Sequence, residues 1–152
     1  MSFLRGIIEN RILVSAVLAW LSAQILKTIT YFIVNKDFNA ERLLGDGGMP
    51  SSHSATVCAL ATSTAFGYGS ASFEFAVTAI LAIIVMHDAM GVRRETGKQA
   101  KVINNMMEWF NQMQRDITPE ERLKEFVGHS PMQVFFGALL GILVAVIICN
   151  VM

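Results

Sequence analysis

Four long apolar stretches alternate with polar segments along this chain, at residues 12–34, 50–68, 73–91 and 132–152. Each approaches the length that an α-helix needs to cross a bilayer, about 20 residues. Hydroxyl residues interrupt the second stretch, which therefore needs other helices against at least one of its faces. The pattern predicts an all-α protein, a helical membrane bundle of about four transmembrane helices.

The first apolar stretch follows charged residues, as in a signal peptide, and Ala19 or Ala23 could belong to a cleavage site. The apolar run, however, resumes after Lys27 and continues to Val34. A membrane anchor is therefore the favoured interpretation.

A polar insert, residues 92–130, separates the third and fourth stretches. Its first half places apolar residues on one face of a helix, namely Val102, Met106, Trp109 or Phe110, and Met113. Such a helix could lie along a membrane surface with Trp109 as an anchor, although the pattern is also typical of plain packing. The second half begins with Thr118-Pro-Glu-Glu121, a capping-box pattern that predicts a short helix before Gly128.

Composition supports the membrane interpretation, because 53% of the residues are hydrophobic and only 16% are charged, against about 25% charged in average soluble domains. A soluble bundle of unusually apolar helices is the alternative. The formal net charge is zero, which gives no sign of a nucleic-acid partner. Cys58 and Cys149 lie inside apolar runs and are interpreted as buried apolar residues. We expect a single domain, residues 1–152.

Charge indicates which side the loops of such a bundle face. With four spans, residues 35–49 and 92–130 share one side, and the termini and residues 69–72 share the other. Nine basic residues belong to the first side and two to the second, with Lys27 inside a span. Basic loops usually stay cytoplasmic, so the first side is predicted to face the cytoplasm.

Chemically reactive side chains converge on that same side, although they come from four parts of the chain. Lys27 lies about two turns from the loop end of the first span. A lysine inside a span costs about 2.5–3.5 kcal/mol on insertion scales, which argues against a filler residue. The other members are Arg42, the run Gly47-Gly-Met-Pro-Ser-Ser-His53, His87, Asp88, Arg93, Arg94 and His129.

This set suits the recognition of an anion such as phosphate. Positive charge and forked donors come from Lys27, Arg42, Arg93 and Arg94. Pro50 could begin a helix whose free N-terminal amides bind phosphate-like groups. The simpler interpretation is that paired arginines form a solvated patch or one that faces lipid headgroups.

Two histidines could act on the bound anion, with one of His53 and His129 as a nucleophile and the other as an acid. The simpler interpretation of a single histidine is a helix cap or a buried hydrogen-bonding residue. Metal ligation by His53, Asp88 and His129 is a weaker alternative, since no two of them have the spacing of ligands on one helix.

Three stretches together carry a resemblance to a known family: GGMPSSHSA from Gly47, HDAMGVRRETGKQA from His87, and GHSPMQVFFGALLG from Gly128. Over nearly its whole length the chain resembles the divergent branch of the phosphatidic acid phosphatase type 2 superfamily, which includes bacterial acid phosphatases and vanadium haloperoxidases. The resemblance implies a phosphatase or phosphotransferase that acts on a lipid phosphate or diphosphate through a phosphohistidine, without metal or cofactor. It also implies an integral protein of a bacterial plasma membrane.

In that superfamily a Pro-Ser-Gly-His motif binds phosphate and supplies the acid that protonates the leaving group. Pro50-Ser51-Ser52-His53 is similar to this motif, with serine in place of glycine. The superfamily's nucleophilic histidine is followed four residues later by an aspartate. Here His129 is followed by Gln133, which can orient the imidazole but carries no negative charge. We therefore expect a weaker nucleophile.

The basic motifs depart further from the superfamily. Its first motif spaces a lysine and an Arg-Pro pair by six residues, for which Lys27 and Arg42 could substitute from a wider spacing. Leu123 stands where an arginine is expected six residues before the nucleophile, so Arg93 and Arg94 are the better candidates. Asp88 either holds one of these arginines or caps the end of its helix.

These departures leave a second interpretation open, a non-catalytic protein that binds lipid phosphates or organises the membrane. Gln133 and the altered basic motifs favour it. Gly137 and Gly141 permit either a homodimer or close packing within one chain. The expected partners are thus the membrane and a lipid phosphate, with a second copy as the open alternative.

Overall fold

The computed structural model describes residues 3–36, 48–113, 123 and 128–152. Within these ranges every regular element is an α-helix. The helices are α1 (Phe3–Ile8), α2 (Arg11–Asn35), α3 (Ser52–Tyr68), α4 (Phe73–Met90), α5 (Val92–Gln112) and α6 (Pro131–Val151). The all-α prediction is confirmed, and the four apolar stretches correspond to α2, α3, α4 and α6.

Among the described helices, three stretches are long and apolar enough to cross a membrane: α2, the segment Phe73–Phe110 that contains α4, and α6. α3 has 17 residues, so it is roughly 25 Å long at about 1.5 Å per residue. It lies at the centre, in contact with α2, α4 and α6. The protein is a helical membrane bundle arranged around α3.

Small residues fill the middle of the bundle, and large apolar residues cover its outside. Five fully buried alanines form the core, namely Ala19, Ala23, Ala55, Ala59 and Ala145. Large side chains such as Ile25, Ile84 and Leu143 are exposed instead. This distribution suits a bilayer, where lipid solvates the outer side chains and close packing of small residues joins the helices.

The hydroxyl residues of α3 are buried against its neighbours, which explains how a helix this polar can occupy the centre. Ser63 and Thr64 are 1% and 2% exposed. Their hydroxyls donate to the carbonyls of Ala59 and Leu60, at 2.7 and 2.8 Å. Each is satisfied within its own helix, which avoids the cost of an unpaired polar group in apolar surroundings.

α6 approaches α3 so closely that only glycine fits at two positions of the contact. A Cβ atom on Gly137 would lie 2.3 Å from the carbonyl oxygen of Ser51, and one on Gly141 would lie 2.1 Å from that of Ala55. Both glycines therefore serve packing within the chain, one of the two interpretations that the sequence left open.

The start of α3 differs from the prediction. Pro50 was expected to begin the helix, but the helix begins at Ser52 and Ser51 is its N-cap. The reason is local, because the Ser51 side chain accepts the Ser54 N–H, and serine is among the favoured N-cap residues.

Two further differences concern the polar segments. The apolar pattern did not predict α1, which is separated from α2 by Glu9 and Asn10. The Asn10 side chain caps α2 by accepting the N–H groups of Ile12 and Leu13. The short helix predicted after Thr118 lies outside the described residues.

Gly141→Ala should destabilise the bundle, because the new Cβ would overlap the Ala55 carbonyl. We expect the free energy of unfolding to fall by about 1–3 kcal/mol, the range for overpacked positions. Gly67→Ala in α3 is the control, since its Cβ would meet only the Ile12 side chain, at 3.7 Å. Helix propensity should leave that variant unchanged or stabilise it by about 0.5–1 kcal/mol. Unfolding in detergent micelles, followed by circular dichroism, measures both, and equal stabilities would contradict the close contact.

Candidate functional site

The candidate site lies at the end of the bundle where α2 and α4 finish and α3 and α6 begin. Three hydrogen bonds join these elements: Ser51 N–H to the Gln133 carbonyl at 3.0 Å, His129 N–H to the Ala89 carbonyl at 2.9 Å, and the Thr30 hydroxyl to the Met49 carbonyl at 3.2 Å. The four parts of the chain that carry the predicted site residues are thereby held next to one another.

His53 and His129 face each other at this end of the bundle. Their ring centroids are 5.8 Å apart and the ring planes are inclined by 58°. His53 lies in the first turn of α3 and is half-buried, whereas His129 directly precedes the N-cap of α6 and is 3% exposed. The two imidazoles are close enough to act on one bound group.

One oxygen atom of Gln133 both caps α6 and contacts His129. Its Oε1 accepts the N–H of Ser130 at 2.9 Å and lies 3.3 Å from Nδ1 of His129. Since the backbone N–H requires an acceptor, the amide atom facing the imidazole is the oxygen, and Nδ1 must carry the hydrogen to bond with it. In the neutral ring the lone pair is then on Nε2. The predicted orienting residue is thus in contact with the histidine it was expected to orient.

The two serines before His53 are both buried. The Ser51 hydroxyl oxygen accepts from the N–H and the hydroxyl of Ser54, at 3.3 and 3.0 Å. It is therefore engaged in capping α3, and only its own hydrogen is left for a ligand. Ser52 is the first residue of α3, where the N–H groups of the opening turn give the helix end a positive character.

Lys27 is 2% exposed although it lies within a membrane-spanning helix. A Cβ on Gly48 would lie 2.9 Å from Cγ and 3.3 Å from Cδ of this lysine. Gly48 also has a φ of +92°, which glycine adopts without strain. It therefore allows residues 48–50 to close over the lysine stem, at the start of α3.

The backbone of Arg93 and Arg94 packs directly beside the residue that precedes His129. A Cβ on Gly128 would lie 2.4 Å from the backbone nitrogen of Arg94 and 2.7 Å from the carbonyl carbon of Arg93. Nε of Arg93 donates to Oδ2 of Asp88 at 3.0 Å. Of the two roles considered for Asp88, the structure has the ion pair, while Arg94 is exposed.

Some of the predicted set cannot be placed, and some neighbours of the site were not predicted. Arg42 lies outside the described residues. Gly128 could have been suspected as a glycine directly before a candidate nucleophile, whereas no pattern indicated Thr30. Among the residues that the structure describes, no three His, Cys, Asp or Glu side chains form a group that could hold a metal ion.

An apolar groove opens between α2 and α6 beside the buried lysine. Its volume is about 680 Å³, within the range of about 300–1,000 Å³ that is usual for small-molecule pockets. The residues lining the groove include Leu26, Lys27, Met49, Phe136, Leu139 and Leu143. The groove was not predicted, because spacing along α6 does not show where α2 diverges from it.

Comparisons with known proteins agree with the resemblance identified from the sequence. The model of a family described as the Divergent PAP2 family matches residues 8–144. An uncharacterized membrane protein of Bacillus subtilis (strain 168), YuiD, is 41% identical over 151 residues, which cover 93% of this chain and 96% of the relative. No solved structure matches the chain.

Gly128→Ala should be more harmful than Gly69→Ala, although both glycines have positive φ. An added Cβ at Gly69 meets nothing within 4 Å, so that variant pays only the backbone cost, about 1–3 kcal/mol. Gly128→Ala adds the overlap with the backbone of Arg94, a further loss of about 1–3 kcal/mol. Unfolding of both variants in the same detergent measures the difference, and similar losses would contradict the contact.

Proposed function

Because the chain belongs to the Divergent PAP2 family, we propose that it is a membrane phosphatase or phosphotransferase acting on a lipid phosphate or diphosphate. The observation that carries the proposal is the histidine pair, with ring centroids 5.8 Å apart and Gln133 on one of the rings. The proposed chemistry uses side chains of the protein and needs no cofactor.

In the first step, Nε2 of His129 attacks phosphorus and the bond to the leaving oxygen breaks. The hydrogen bond from Nδ1 to Gln133 supports this assignment, because it leaves the lone pair on Nε2. His53 donates a proton to the departing oxygen, which leaves as a hydroxyl group of the lipid product. The product on the enzyme is a phosphohistidine whose positive ring still donates to Gln133.

In the second step, water attacks phosphorus and the bond from phosphorus to Nε2 of His129 breaks. His53, now neutral, accepts the proton that the water loses. Inorganic phosphate leaves, and His129 is neutral again. An alcohol in place of water would make the same step a phosphotransfer.

The non-bridging oxygens of the phosphate are assigned to the cations and the start of α3. Burial of Lys27 supports its role, because a cation in a membrane span is rarely retained without a function. The ion pair with Asp88 engages only Nε of Arg93, so the remaining guanidinium nitrogens and the neighbouring Arg94 are available to an anion. Ser51 and Ser52, with the α3 amides, complete the proposed cradle, and the role of Arg42 rests on the sequence alone.

The groove beside Lys27 supports a lipid as the substrate. It is lined by apolar side chains of α2 and α6, and its outer members, such as Leu139 and Leu143, are exposed on the outside of the bundle. A hydrocarbon chain could lie there while its phosphate reaches the lysine at the inner end. The basic loops support a site on the cytoplasmic side, and the Bacillus relative supports a bacterial plasma membrane.

A second candidate function is binding of lipid phosphates without turnover. Gln133 favours it, because the residue in contact with His129 has no charge to stabilise a positive imidazole. Lys27 and the arginines would serve such a protein equally well.

The detergent-purified protein should release phosphate from at least one of phosphatidic acid, phosphatidylglycerol phosphate and a polyprenyl diphosphate. His129→Ala should abolish release, and His53→Ala should slow it by about 10²–10⁴-fold, the usual contribution of a general acid. His87→Ala is the matched control, because His87 is exposed near the end of α4 and should be dispensable. If no substrate is hydrolysed while vanadate still binds in a Lys27-dependent manner, the binding protein is the better description.

Gln133→Glu should raise the rate of phosphate release by about tenfold, equivalent to about 1.4 kcal/mol. The carboxylate keeps an acceptor for the Ser130 N–H and adds a negative charge near Nδ1 of His129. Gln133→Met is the control, since it removes the acceptor, and it should lower both the rate and, by about 1 kcal/mol, the stability. Equal rates in all three proteins would rule out an orienting role for this residue.

A further inference from the structure

One side of α5 is apolar, exposed and turned away from the rest of the described chain. Val102, Met106, Trp109 and Met113, here called the apolar row, follow at spacings of four, three and four residues and are 52–58% exposed. The structure thus places Trp109 in the row, whereas Phe110 is half-buried. The opposite side of the helix carries Ala100 and Asn104, which are 7% and 5% exposed.

Contacts with the chain are made by that opposite side of α5. The Asn104 side chain donates to the carbonyl of Leu123 at 2.9 Å and accepts its N–H at 3.1 Å. Gly128 packs on the backbone of Arg93 and Arg94. Leu123 and Gly128 therefore contact α5 away from the apolar row, and the described residues leave that row open.

A basic edge runs beside the first part of the apolar row. Lys98 and Lys101 are three residues apart, so they lie on one side of the helix. Both are exposed, and Lys98 also forms an exposed ion pair with Glu95. Apolar side chains with a tryptophan and an adjoining basic edge are typical of a helix that lies in the surface of an anionic membrane.

The position of α5 in the chain brings it to such a surface. Only Gly91 separates it from α4, whose apolar residues make it a membrane span. The N-terminus of α5 is thus at the boundary of the bilayer, at the same end as the candidate site. The basic edge and the apolar row follow that boundary directly along the chain.

We propose that α5 docks on the bilayer that the protein spans, with the apolar row at the acyl boundary and the basic edge on anionic headgroups. The partner is therefore the lipid surface itself. The inference is independent of whether the site is catalytic, because it uses only the outer side of α5. The negative surface potential of a leaflet that contains anionic lipids attracts Lys98 and Lys101.

Depth-dependent quenching tests the proposal on the full chain in nanodiscs. The chain has two tryptophans, so Trp20→Phe leaves Trp109 as the only reporter. Lipids brominated near the headgroup should quench Trp109 more than lipids brominated near the chain ends. Trp109→Phe is the matched control, because Trp20 lies within the spanning helix α2 and should show the reverse order. If neither lipid quenches Trp109, the row is in water or covered by protein, including a second copy, and the proposal is wrong.

Paired substitutions test which side of α5 docks. Met106→Asp should remove the shallow quenching of Trp109 and shift its emission to longer wavelength. Thr96→Asp adds the same charge on a side of α5 apart from both the apolar row and the basic edge, where Thr96 is exposed, and should leave both signals nearly unchanged. Quenching of Trp20 in matched Trp109→Phe versions reports whether each variant is folded. Equal effects of the two substitutions on Trp109 would overturn the assignment of the apolar row.

The preference for anionic lipid is tested by comparing brominated phosphatidylglycerol with brominated phosphatidylcholine at the same fraction of the bilayer. The anionic lipid should quench Trp109 more strongly, and the ratio should fall to about one in the double variant Lys98→Gln, Lys101→Gln or in high salt. A ratio of one in the unmodified helix would overturn the basic edge as a lipid contact.

Discussion

The contact between α3 and α6 is the constraint on which the rest of the structure depends. At Gly137 and Gly141 the carbonyl oxygens of Ser51 and Ala55 occupy the space in which any other residue would carry its Cβ. Lipid supplies no hydrophobic force between helices, so the approach must come from close packing and polar contacts. The hydrogen bond from the Ser51 N–H to the Gln133 carbonyl extends this contact to the start of both helices, and each start is next to one of the two histidines.

Besides helix packing, hydrogen bonds connect α4 and α2 to this pair at the site end of the bundle. α4 contributes the carbonyl of Ala89, which accepts the N–H of His129, and α2 contributes the hydroxyl of Thr30, which donates to the segment before α3. Gly128, next to His129, packs against the backbone at the start of α5. Because Gly128 directly precedes His129, a movement of the α5 backbone at Arg93 and Arg94 would also displace the backbone at His129.

The sequence predicted the helices better than their junctions. The apolar stretches predicted the bounds of α2, α4 and α6 to within one residue, since an apolar run in lipid has few alternatives to a helix. The start of α3 was predicted wrongly at Pro50, because the side chain of Ser51 decides the cap. Which surface Gly137 and Gly141 would face, and the groove beside α6, depend on helix positions that spacing along one helix does not contain.

The double contact of Gln133 limits which side chains this position can hold. Its Oε1 accepts the N–H of Ser130, the N-cap of α6, and contacts the imidazole of His129 at once, so a replacement without an acceptor would leave both groups without this partner. Glutamate is the replacement that keeps both contacts. Exchange of glutamine for glutamate would therefore alter the charge beside the histidine while the helix start stays intact.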